Sequence, residues 1–366
     1  MIVVFRVDAS IEMGSGHVMR CLTLADALRK NGVTCHFICR EHQGNLLSLI
    51  NDKGFVTHAL PQADAEYFDW LPMGENQLAH ASWLGVSQHQ DAEQCAAILA
   101  NIQPNWLVVD HYALDINWEI ALSDYYDRLM VIDDLADRHH NCDLLLDQTF
   151  GRNNTDYKSL VPDVCTLLCG SQYALLRPEF AALRSYSLLR RKKPKLEHLL
   201  ITMGGVDKDN ATGQVLAALR TCELPELCKI TVVMGATAPW LTDVSAVAAD
   251  MPWPTTVQVN ISNMAQLMTE SDLAIGAAGS TAWERCCLGL PTIMLVLAEN
   301  QQQIAANLEQ VKAAQVIEKN KNLAIFLPRL LFPLVTSSAT LTLMTKAATS
   351  ILNGQGVIEV IKHMEF

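Results

Sequence analysis

Ile2-Val3-Val4-Phe5-Arg6-Val7-Asp8-Ala9-Ser10-Ile11-Glu12-Met13-Gly14-Ser15-Gly16-His17-Val18-Met19-Arg20 is the stretch on which the fold turns. Its apolar head, interrupted at once by Arg6 and Asp8, is too short for a signal-peptide core and reads as a first buried strand. Gly14 and Gly16 make a turn, and from residue 18 to 30 the apolar positions recur at helical spacing. Strand, glycine turn and helix open a βαβ unit, with the loop at the carboxyl end of the strand, where open α/β sheets bind ligands.

The same alternation continues outward. Residues 33–39, 106–110, 129–133, 143–147 and 166–169 are further strand candidates, and 46–52 is a helix. Segment 61–90 has the weakest period and reads as loop and irregular structure. Arg190-Arg191-Lys192-Lys193-Pro194-Lys195 joins like charges to a proline and reads as a solvated linker, with a domain boundary near residue 190. Beyond it come strands at 196–202, 230–234, 257–260, 272–275 and 292–297. Helices at 210–220, 263–269, 281–288 and 301–312 alternate with them, and Gly289-Leu290-Pro291 ends the third of these helices. The expected fold class is α/β, with two Rossmann-like doubly wound domains facing across a cleft that holds the ligand. The domains run 1–185 and 196–332; residues 333–366 read as a helical segment, with packing back on the first domain as one option.

Composition supports this organisation and narrows the partners. A chain of 366 residues exceeds one ordinary core, and 50% hydrophobic against 18% charged residues supplies buried parallel strands. The net charge of −12 repels nucleic acid and acidic membranes, so an anionic ligand has to be held locally, by backbone amides at helix N-termini. Eleven cysteines, an odd number without a Cys-x-x-Cys pair, read as reduced thiols. No apolar run reaches the ~18 residues of a membrane span. The expectation is a cytoplasmic chain with no metal, no cofactor and no nucleic-acid or membrane partner. Its oligomeric state is not legible.

Several residues carry chemistry at strand ends. His17 stands at a helix start, where the dipole disfavours imidazolium, which suits a general base; the other reading is a cap on the turn made by Gly14 and Gly16. Met19 occupies the third glycine position of a dinucleotide fingerprint and so argues against NAD, and a Walker loop is absent. Met203-Gly204-Gly205 and Gly279-Ser280-Thr281 each let backbone approach a diphosphate. Glu284, one turn beyond, is placed to take ribose hydroxyls, or else is a surface charge. Asn300 and Gln301 can read sugar hydroxyl or acetamido groups, with helix capping as the plain alternative for Asn300. Tyr112 follows another strand end and can orient a sugar or a water. Arg6, Asp8, Gly14 and Gly16 complete the set expected to touch substrate. Asp133, Asp134 and Asp137, beside Arg138, read as a salt-bridged loop.

Six motifs taken in order resemble one family. Arg6-x-Asp8-Ala9-Ser10, Gly14-x-Gly16-His17-Val18-Met19-Arg20-Cys21-Leu22-Thr23-Leu24-Ala25 and Asp133-Asp134-Leu135-Ala136-Asp137-Arg138 lie in the first half. Tyr173-Ala174-Leu175-Leu176-Arg177-Pro178-Glu179-Phe180, Thr202-Met203-Gly204-Gly205 and Gly279-Ser280-Thr281-x-Trp283-Glu284 follow. Together they resemble the nucleotide-sugar hydrolases of pseudaminic acid biosynthesis, which act on UDP-2,4-diacetamido-2,4,6-trideoxy-β-L-altropyranose. The resemblance implies a GT-B architecture and metal-free attack of water on the anomeric carbon. It implies that His17 is catalytic and that Tyr112 and Asn300 lie in the sugar pocket. The lipid-linked N-acetylglucosaminyltransferase of peptidoglycan assembly looks like a more distant relative. A GT-B glycosyltransferase with a UDP-sugar donor and a non-catalytic nucleotide-sugar binding protein are the alternatives.

Overall fold

Strands that read as unbroken apolar runs are covered on both faces, and that forces helical crossovers between parallel neighbours. The computed structural model describes residues 1–62 and 78–364. The chain divides into unit 1, Met1–Leu175 with Gly356–Phe366, and unit 2, Leu176–Gln355.

In unit 1 the described elements are β1 (Ile2–Val7), α1 (Gly16–Lys30), β2 (Thr34–Arg40), α2 (Leu47–Asp52), β3 (Val56–Leu60), α3 (Gln88–Ile102) and β4 (Trp106–Asp110). They continue with α4 (Ile116–Ala121), β5 (Arg128–Ile132), β6 (Leu144–Asp147) and β7 (Thr166–Cys169). The strands form a parallel sheet in the order β3-β2-β1-β4-β5-β6-β7. The order reverses between β1 and β4, so the crevice of this sheet opens beyond Val7 and Asp110. Unit 2 carries α5 (Pro178–Arg190), β8 (His198–Thr202), α6 (Ala211–Leu219), β9 (Lys229–Met234), α7 (Leu241–Ala249), β10 (Thr255–Val259) and α8 (Met264–Glu270). After them come β11 (Leu273–Ala277), α9 (Thr281–Cys287), β12 (Thr292–Leu295), α10 (Gln302–Gln310), β13 (Ala314–Ile317), α11 (Leu323–Thr336) and α12 (Ser338–Thr349). Its strands are also parallel, in the order β10-β9-β8-β11-β12-β13, and reverse between β8 and β11. A last helix, α13 (Gly356–Lys362), belongs to unit 1, where Trp106 Nε1 donates to Met364 O at 2.9 Å.

Three expectations need correction. The basic run is not a solvated linker: Arg190 ends α5, and Arg191 is only 4% exposed. The Arg191 guanidinium donates to the carbonyl oxygens of Met268, Ser271 and Leu288, at the negative ends of α8 and α9, which accounts for its burial. The chain accordingly enters unit 2 at Leu176, and α5 packs with that unit. Second, the irregular segment 61–90 contains a 3-10 turn at Ala81–Leu84 and the first residues of α3, while residues 63–77 lie outside the described residues. Strand β3 had no clear signal because it alternates polar and small residues at a half-exposed sheet edge.

The third correction concerns Arg6 and Asp8, which the motif places at the ligand. They are 0% and 1% exposed, inside an ion-pair network. Arg6 is bidentate to Asp91, with Nη2 at 2.7 Å and Nε at 3.1 Å, and its Nη1 meets Asp8 at 2.7 Å. Arg40 Nη2 also donates to Asp91, at 2.6 Å, as does Trp118 Nε1, at 3.0 Å. Burial alone would raise the Asp91 carboxyl; Arg6 and Arg40 overcome it and hold the group below the usual carboxylate range. The network ties β1 and β2 to α3. Removing one partner strands a buried charge, so Arg6→Ala should lower unfolding free energy in urea by about 3–5 kcal/mol. A substrate-contact role would instead weaken UDP-sugar binding at unchanged stability.

Candidate active site

At the reversal point of unit 1, the loop after β1 is a compact turn. Ser10 Oγ accepts from Met13 N at 3.0 Å, and Gly14 N donates to Ser10 O at 2.8 Å, with Gly14 in the left-handed region at φ 75°. This turn delivers His17 to the first turn of α1, opposite the end of β4. His17 Nδ1 lies 2.6 Å from Asp110 Oδ1. Arg20, one turn further along α1, donates to the same carboxylate through Nε (2.6 Å) and Nη2 (2.7 Å). Burial would raise the Asp110 carboxyl, but Arg20 and His17 hold it far below the usual carboxylate range. Asp110 is therefore ionised and can only accept, so Nδ1 carries a proton, and in the neutral imidazole the lone pair is the one on Nε2. The His17 side chain is 11% exposed, and Nε2 has no protein partner among the described residues. A carboxylate on one imidazole nitrogen and a free lone pair on the other is the arrangement that accepts a proton from an oxygen nucleophile.

Tyr112 and Asp134 close the same site. The Tyr112 ring meets the His17 ring edge-on at 4.6 Å, and its hydroxyl donates to Asp134 Oδ2 at 2.9 Å. Arg20 Nη1 reaches the same oxygen of Asp134. The salt-bridged reading holds for all three carboxylates, Asp133 and Asp137 pairing with Arg138 while Asp134 pairs with Arg20 of α1. Asp110 and Asp134 were the partners missed in sequence. The signal was present in each, a carboxylate at or just past the end of a strand lying next to β1 or one strand beyond it.

In unit 2 the two glycine loops also flank the reversal point, after β8 and after β11. Met203 is buried, so it shapes the loop rather than presenting its side chain, while Gly204 (φ 94°) and Gly205 are exposed. Gly205 O is held by Gly235 N at 3.1 Å. The start of α6 is already occupied by the chain's own groups. Asp207 accepts from Ala211 N (2.8 Å) and Thr212 N (2.9 Å), and Asn210 accepts from Gly213 N (3.0 Å). At the second loop the amides of Gly279, Ser280 and Thr281 have no acceptor among the described residues, and Gly279 faces open space. Gly276 has a structural task instead, because a Cβ there would lie 2.6 Å from Arg285 Nη1 and 2.9 Å from Thr202 O. Thr281 Oγ1 accepts from Arg285 Nη1 at 3.1 Å. Asn300 is exposed on the 3-10 turn after β12, and Gln301 Oε1 is committed to Leu297 N at 2.9 Å.

Residues 198–362 match the glycosyltransferase family 28 C-terminal domain. A protein of Campylobacter jejuni named UDP-2,4-diacetamido-2,4,6-trideoxy-beta-L-altropyranose hydrolase is 26% identical over 306 residues, 83% of this chain and 95% of that one. An uncharacterized protein of Methanocaldococcus jannaschii is 25% identical over 300 residues, 81% of this chain, but the match spans only 56% of that relative's length. The crystal structure of Acinetobacter baumannii MurG superimposes with a TM-score of 0.71 at 15% identity, covering 100% of this chain and 99% of that one. The chain is a GT-B-fold relative of UDP-sugar enzymes.

Within this GT-B fold, Glu284 is the titrating group of the unit 2 loops. Its side chain is 15% exposed, and burial pushes its carboxyl up to about 7; Arg177, with Nη2 at 3.6 Å, and Arg285 oppose the shift only in part. Between about 4.5 and about 7 the folded chain retains a proton that the unfolded chain has lost, so this group's contribution to stability falls as pH rises through that window. Glu284→Gln should therefore raise Tm at pH 8 and leave it nearly unchanged at pH 4. Scanning calorimetry at the two pH values checks this; equal Tm values at pH 8 would mean the ionised carboxylate carries no burial cost.

Proposed function

We propose that the chain releases UDP from a UDP-sugar by base-assisted attack of an oxygen nucleophile on the anomeric carbon. The observation that carries this reading is the His17 Nδ1–Asp110 contact of 2.6 Å, with Nε2 left open. Nε2 takes the proton of the nucleophile as its oxygen bonds to C1. The bond from C1 to the β-phosphate oxygen breaks, and its electron pair leaves with UDP. Asp110 orients the imidazole and stabilises the imidazolium that forms. In this reading the free amides of Gly279, Ser280 and Thr281, with the Gly204-Gly205 loop, take the diphosphate charge, while Glu284 accepts from ribose hydroxyls. Asn300 reads the sugar, and Gly14 and Gly16 shape the loop that presents His17.

Two nucleophiles fit. The family 28 match favours an acceptor hydroxyl, hence a glycosyltransferase, and the weight of the relatives leans that way. Water, hence hydrolysis of UDP-2,4-diacetamido-2,4,6-trideoxy-β-L-altropyranose, is supported by the Campylobacter jejuni relative, 95% of whose length is aligned. Incubation of UDP-sugars in ¹⁸O-water separates the two. Hydrolysis puts label on the free sugar and none on UDP, whereas a transferase releases UDP only when acceptor is added. Label in UDP would mean attack at phosphorus and end the proposal.

General-base help is worth ~10²–10⁴ in rate. His17→Ala should lower kcat by that order with UDP affinity unchanged. Asp110→Asn keeps the shape but permits the wrong tautomer, and should cost kcat at similar scale. Equal losses in kcat and in UDP affinity would assign His17 to binding.

A further inference from the structure

The 3-10 turn Ala81–Leu84 brings a second set of rings to the His17 site, which no motif pointed to. Trp83 stacks on Tyr112 with centroids 5.8 Å apart and planes 25° from parallel. His80 lies edge-on to both, at 4.4 Å from Trp83 and 5.4 Å from Tyr112. His17 meets Trp83 edge-on at 6.4 Å. Two rings, Tyr112 and Trp83, thus meet the imidazole of His17, and His80 packs edge-on against both of them.

Trp83 does not behave as a core residue. The other described tryptophans of unit 1 are buried and spend their indole N–H inside the protein: Trp106 on Met364 O, Trp118 on Asp91. Trp83 is only half-buried, stands outside the apolar clusters on both faces of the sheet, and its Nε1–H has no acceptor among the described residues. A half-exposed indole is therefore stacked on a ring that touches the proposed base, with a donor unspent among the described residues. Large apolar rings with one free polar tip are what a pocket uses to hold an amphipathic ligand.

We propose that Trp83, backed by His80 and Tyr112, is the wall against which the sugar of the UDP-sugar packs, and that it selects deoxy, N-acetylated sugars over fully hydroxylated ones. This rests on the reading that the anomeric carbon lies at His17 Nε2. A pyranose with a methyl group in place of a hydroxymethyl, and with acetamido groups, offers methyl surface for the rings and a carbonyl for the indole N–H. A fully hydroxylated sugar would lose water from its hydroxyls against those rings without replacement hydrogen bonds. An apolar pocket discriminates a single methyl or methylene by ~10–200-fold, which sets the expected scale.

The test separates sugar recognition from turnover. In a His17→Gln background, calorimetric Kd values are measured for UDP, UDP-N-acetylglucosamine and the UDP-2,4-diacetamido-2,4,6-trideoxy sugar, with Trp83 intact or replaced as Trp83→Phe and Trp83→Ala. The expected result is that the trideoxy sugar tightens binding over UDP more than N-acetylglucosamine does. That increment should fall ~10-fold or more in Trp83→Ala and largely persist in Trp83→Phe, with the Kd for UDP unchanged in both. An increment untouched by Trp83→Ala overturns the proposal, as does an equal loss for UDP alone. An effect of Trp83→Ala confined to the KM of an added acceptor, in the His17 enzyme, also overturns it, because the wall would then serve the acceptor. If the increment depends on Trp83 yet no UDP-sugar is turned over with or without acceptor, the wall stands and the proposed reaction fails.

Discussion

The Asp110 carboxylate is the group on which the proposed chemistry of this chain depends. It is buried, and without Arg20 the low-dielectric surroundings would drive it to the protonated form. A neutral carboxyl could donate to His17 and would no longer define which nitrogen carries the proton. The bidentate Arg20 contact keeps it ionised, and the ionised form fixes the proton of the neutral imidazole on Nδ1. Arg20 and His17 are three residues apart on one helix, so the same backbone geometry that aims the base also aims the charge that sustains its partner.

That helix can be aimed only because the strand before it is rigid. Arg6 sits in β1, with no exposure, and with Arg40 and Asp91 it joins two strands to a helix through charges that solvent does not screen. Such pairs add little net stability over an apolar core, but they penalise any register that separates them. The ion-pair network and the His17–Asp110 pair thus lie on either side of one loop: Arg6 of β1 anchors the first, and the chain that follows β1 carries His17 into α1, opposite Asp110 at the end of β4.

The two glycine loops of unit 2 differ from each other as potential anion sites. A helix start is a ready anion site only while its amides are free. At α6 those amides are taken by Asp207 and Asn210, whereas at α9 they are open. Two glycine loops that look equivalent in sequence are thus unequal in the fold, and the difference is made by Asp207, two residues after the first glycine pair, together with Asn210.

Much of the architecture was legible in the chain itself. Apolar runs punctuated by glycine at their carboxyl ends determine parallel strands with crossover helices, because such runs must be buried on both faces, and the sheet order then puts His17 and the glycine loops at reversal points. The edge strand β3 and the boundary at Leu176 were not legible. The first lacks burial on both faces, and the second depends on Arg191 meeting carbonyls of helices about eighty and a hundred residues away. The distinction between Arg6, enclosed, and His17, open, is likewise a matter of which side of the sheet edge each faces. Residue types and spacing singled out His17 as a candidate base and the glycine loops as a candidate diphosphate cradle. Only the tertiary structure brings Asp110, Asp134 and Trp83 together with His17, Arg20 and Tyr112, because contacts between strand ends and a distant turn are made by packing and leave no period in the sequence.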